Sequence, residues 1–76
     1  MKLLQLIELI RKIDPAQVKA LLDWVKSIFV AFGAKAPAGF AATPEVDQFV
    51  LECVAKGCDE DECRQLGCTI ASVEAA

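Results

Sequence analysis

Histidine and tyrosine are missing from this 76-residue chain, and tryptophan occurs once. Without histidine the commonest general base at neutral pH is gone, and no cysteine or serine has an imidazole to activate it as a nucleophile. The four glycines are scattered, so no glycine-rich loop exists to cradle a phosphate. Long uncharged runs are also absent. The longest, 27–34, 36–44 and 65–73, fall well short of the roughly 18–20 residues that cross a bilayer. The opening MKLLQLIELIRKI is interrupted by Glu8, Arg11 and Lys12 and is followed by no small-residue cleavage site, so it does not read as a secretory signal. These absences favour a cytoplasmic, non-enzymatic protein that uses no cofactor.

What is present is apolar. Hydrophobic residues make up 55% of the chain and charged residues 25%, which excludes disorder and favours a compact helical protein. A chain this short buries only about 60% of its unfolded surface. An apolar excess of this size therefore points to self-association. The net charge of −3 is divided unevenly. Residues 1–38 are net basic, whereas 39–76 carry only Lys56 and Arg64 against eight acids. That distribution argues against nucleic acid at the second half, where phosphate contacts would need lysine and arginine.

The chain is organised around 14–33. Asp14 caps a helix with Pro15 at its first position, and Gly33 closes it. Val18, Leu21, Leu22, Val25, Ile28, Phe29 and Phe32 form the stripe between them. Before it, residues 2–13 form a helix with the stripe Leu3, Leu6, Ile7, Ile10 and Ile13, widened by Leu4 and Leu9. A face that broad demands two neighbouring helices or another chain. Residues 34–43 form a linker in which Phe40 anchors to the core.

Thr43–Pro44–Glu45 starts a third helix ending at Gly57, with Val46, Phe49, Val50, Cys53 and Val54 on one face. A short fourth helix over 59–66, opened by four acids, ends at Gly67, and 68–76 forms a last helical turn or two or a tail. The acid run lacks the spacing and glycine of a calcium loop and suits a solvated helix start. The fold class is all-α: about four short helices in one small domain, with a helical hairpin or corner over 2–32 and a helix-turn-helix-like segment over 44–76.

Cys53, Cys58, Cys63 and Cys68 recur at a regular five. Four thiolates suffice for a tetrahedral metal site, but the close C-x2-C pairs of zinc knuckles are not here. Positions five apart diverge by about 140° on a continuous helix, so a disulfide would need the breaks at Gly57 and Gly67 to bring Cys53 to Cys63 or Cys68. The third reading makes all four small buried hydrophobes.

The segment 62–76, ECRQLGCTIASVEAA, resembles the helix-turn-helix family. Cys63 is the small residue, Leu66–Gly67 the turn, Cys68 the following apolar position, and Val73 lies in the second helix. The resemblance, which extends back over the third helix and Gly57, implies a DNA-binding regulator. It departs from the family at 69–76, which offers no Lys, Arg, Asn or Gln to read a base edge and would set Glu74 against phosphates. The helix–Gly–helix–Gly–helix rhythm also resembles ubiquitin-associated domains. The first 35 residues, amphipathic and net basic, would suit a membrane surface, but strong caps and Asp23 suit a packed bundle better. The sequence therefore predicts a non-catalytic interaction or assembly subunit, a homo-oligomer or a protein partner's subunit. Trp24, Leu4 and Leu9 are its expected contact residues, since Trp24 lies off the main stripe between Asp23 and Lys26.

Overall fold

The computed structural model describes residues 2–33 and 43–75, except the side chain of residue 75. Four α-helices and no strand occur among the described residues: α1 (Leu3–Lys12), α2 (Pro15–Ala31), α3 (Pro44–Ala55) and α4 (Glu60–Ala75). The linker expected over 34–43, apart from Thr43, and the anchor Phe40 lie outside them.

Three of the four helices begin where local chemistry dictates. The Asp14 carboxylate accepts from the Gln17 N–H at 3.0 Å and the Thr43 hydroxyl from Val46 N–H at 3.3 Å, each directly before a proline. Asp59 does the same for Glu62 at 3.1 Å. No side chain near in sequence caps α1. Its Leu3 N–H instead donates to the Glu74 carboxylate, 71 residues away on α4. Gly33 and Gly57, at φ +69° and +89°, close α2 and α3 in the left-handed region.

The bundle is built on α3, which packs along α4 and against α1. Phe49, Val46 and Cys53 of α3 are fully buried with Leu3, Ile7 and Ile10 of α1 and Ile70 of α4. The α3–α4 approach is close because of Gly67. A Cβ there would sit 3.0 Å from Phe49 Cδ1 and 3.2 Å from Val46 Cγ1. This corrects the expected helix end at residue 66. Gly67 has no left-handed φ, and α4 runs through it to Ala75. The helix-turn-helix-like segment thus turns at Gly57, and Leu66–Gly67 lies inside a helix.

α1 and α2 meet at a corner, clamped by Lys56, whose ammonium donates to the Ile13 carbonyl at 3.0 Å. The backbone of α2 makes the fewest close approaches to the other helices. Its inner residues Val18, Leu22 and Val25 are buried and Phe29 packs on the same core. Phe32, expected on this stripe, sits at the helix end and is 84% exposed. The ion pairs Arg11–Glu52 at 3.1 Å and Arg64–Asp47 at 3.1 Å join α1 to α3 and α3 to α4 at the surface, where such pairs fix register more than they stabilise.

Candidate interaction surface

At about 100° per residue, every charged side chain of α2 falls on one edge. Lys19, Asp23 and Lys26 span about 60° of its circumference, and no charge interrupts the rest. The core covers only part of that uncharged arc. On the side turned away from Val18 and Val25 lie Ala16, Ala20, Trp24, Ser27 and Ala31, all exposed. Trp24 is 57% exposed, although tryptophan is costly to leave in water. Beside this row, Leu21 and Ile28 are half-buried. An amphipathic surface helix normally carries charged residues opposite its core face. Here that face carries small residues, one indole and the exposed amide of Gln17, about 20° from Trp24.

Leu4 and Leu9 are likewise exposed, at 56% and 42%. Five residues apart, they lie about 140° from each other around α1 and so border opposite edges of its buried stripe. Of the three expected contact residues, Trp24 therefore stands within a continuous uncharged face, and Leu4 and Leu9 stand apart. Sequence reading missed Ala20, Ser27 and Ala31 as neighbours of Trp24, although their 4-3-4 spacing was in view.

A shallow groove lies between α2 and α4, formed of two hollows of about 220 and 210 Å³ that share Lys26, Glu62 and Leu66. Leu22 and Phe29 of α2 line it, and the Lys26–Glu62 pair spans it at 3.8 Å. Its charges are mixed: Lys19, Asp23 and Lys26 of α2 line it together with Asp59 and Glu62.

The four cysteines are free. Cys53 and Cys63 are buried between α3 and α4 with their thiols adjoining, and Cys58 adjoins Cys63 from the turn. Among the described residues no three donor side chains come together in a geometry that could hold a metal ion. Burial, reinforced by each other's charge, pushes the Cys53 thiol far above its ordinary value. Burial likewise pushes Cys63 from 9.0 up to about 11, against a lowering by its bond to Cys53. The folded state thus keeps protons that the unfolded state releases. Stability is full below pH 9 and is expected to fall as pH rises through about 9 to 11, the window bounded by the unfolded and folded Cys63 values. Urea unfolding across that range measures it, and Cys63→Ala is expected to flatten the slope. An equal slope in the variant would show that other groups cause the loss.

Comparison with family models, with curated proteins and with solved structures finds no match. The functional reading therefore stands on the chain's own residues. No described helix is long and apolar enough to cross a membrane.

Proposed function

We propose that this protein is a non-catalytic assembly module that associates with itself through its N-terminal helices, chiefly α2. The observation that carries the reading is the exposed Trp24 at the centre of an uncharged α2 face. Large aromatic side chains on uncharged, small-residue surroundings are the usual anchors of interfaces, because burying them yields the most per residue immobilised. The mixed charge of the groove and the raised thiols support no catalytic reading that competes with it.

Trp24 is the only tryptophan, so its fluorescence reports on this face alone. Sedimentation of the purified chain over a concentration series is expected to show reversible association, with a parallel blue shift of the emission. Trp24→Ala is expected to weaken association at least tenfold, the loss of about 1.4 kcal/mol or more typical of an aromatic anchor. Leu51→Ala, a change of an exposed apolar residue on α3, serves as the control. A monomer at every concentration, or equal losses from both substitutions, overturns the proposal.

A further inference from the structure

We infer that Cys58 and Cys63 are a site of oxidative modification, where hydrogen peroxide joins the two thiols as a disulfide at the α3–α4 turn. The site does not depend on self-association. Two local motifs that share Cys58 build it. At the end of α3, Gly57 N–H donates to the Val54 carbonyl at 2.9 Å and Cys58 N–H to the Cys53 carbonyl at 3.0 Å. With Gly57 left-handed, this pair of bonds lays the side chain after the glycine on the residue whose carbonyl it meets, here Cys53. At the start of α4, Asp59 caps by accepting from Glu62 N–H at 3.1 Å. The residue before a cap packs on the fourth residue of the helix, and here these are Cys58 and Cys63. The regular spacing of these thiols is thus the spacing of the two motifs. Cys58 adjoins both of the others, and Cys68 belongs to neither motif.

Access selects the pair. Cys58 is half-buried and lines the hollow of about 220 Å³ between α2 and α4 together with Cys63, whereas Cys53 is 0% exposed. Hydrogen peroxide, little larger than water, enters a hollow of that size. Burial keeps the Cys53 and Cys63 thiols protonated, so Cys58 is the first nucleophile. Its thiolate sulfur attacks one peroxide oxygen, the O–O bond breaks, and the departing hydroxide takes up a proton. Cys58 is oxidised to the sulfenic acid as the peroxide is reduced to water. The Cys63 sulfur then attacks the Cys58 sulfur and gives its proton to the departing hydroxyl. An S–S bond forms, the S–O bond breaks, and a second water leaves.

The test treats the reduced full chain with hydrogen peroxide, blocks the remaining thiols and maps the cysteines by mass spectrometry. Cleavage after Glu52, Lys56, the acids 59–62 and Arg64 places the four cysteines in separate peptides. The expected product is one link within the chain, Cys58–Cys63. Cys58→Ser is expected to slow the loss of the Cys63 thiol on the order of tenfold, and Cys68→Ser to leave it unchanged. Circular dichroism checks that each variant folds, and the map of the parent chain decides the pairing without either. A link from Cys53, a link between chains, sulfinic acid at Cys58 beside a free Cys63, or four surviving thiols overturns the proposal. So does an equal rate of Cys63 loss in Cys58→Ser. A chain that sediments as a monomer removes the proposed function and leaves this site standing.

Discussion

Phe49→Ala is expected to lower the free energy of unfolding by about 3–5 kcal/mol, the range for truncating a fully buried phenylalanine. Phe49 is 0% exposed and stands in α3, the helix that packs against both α1 and α4. Its loss opens a cavity where α3 meets α1 and α4. A single core in a domain this small rarely supplies more than about 3–5 kcal/mol, so the variant should be partly unfolded at 25 °C in little or no urea. Urea titrations by circular dichroism, at one fixed chain concentration because association would add stability, measure the change. Leu51→Ala, two residues on but 64% exposed, should stay within about 0.5 kcal/mol. Similar losses at both positions would mean that α3 is not the centre of the core.

The second large effect is at Gly67. Gly67→Leu is expected to destabilise by about 3 kcal/mol, the upper end for overpacking a core, because its Cβ alone would lie 3.0 Å from the Phe49 ring and 3.2 Å from Val46. Gly67→Ala decides whether the close approach is the cause. In a helix interior alanine is favoured over glycine by about 1 kcal/mol. Opposing that gain, the added Cβ would lie 3.0 Å from a ring that is itself fully buried. The variant should therefore be net destabilised in the parent chain. In a Phe49→Val background the nearest contact is gone, and the same substitution should turn stabilising. A double-mutant cycle measures this reversal. Were Gly67→Ala stabilising in both backgrounds, the glycine would have no packing role and α4 could shift freely on α3.

Much of the architecture was legible in the chain. Asp14–Pro15 and Thr43–Pro44 mark helix starts because capping and proline geometry are local, decided by neighbours in sequence. Gly33 and Gly57 mark ends for the same reason. The stripes of α1 and α3 named most of the core, since periodicity shows which side must be covered; Val54, expected on the α3 face, instead lies at its edge and is 44% exposed. Gly67 was misread because a glycine that ends a helix and a glycine that admits a neighbour look alike in sequence. Only the position of Phe49 on α3 separates them.

The candidate face divides the same way. That α2 carries its charges on one edge, and Trp24 away from its core stripe, follows from the helical repeat alone. Tertiary structure decided which uncharged residues stay uncovered. The other three helices bury Val18 and Val25 and leave Ala20, Trp24, Ser27 and Ala31 outside, because only one side of α2 is turned toward them. The cysteines, equally spaced in sequence, became unequal only in the fold. Cys53 and Cys63 lie buried between two helices and Cys58 and Cys68 lie at its margins, since burial depends on where α4 crosses α3 and not on spacing along the chain.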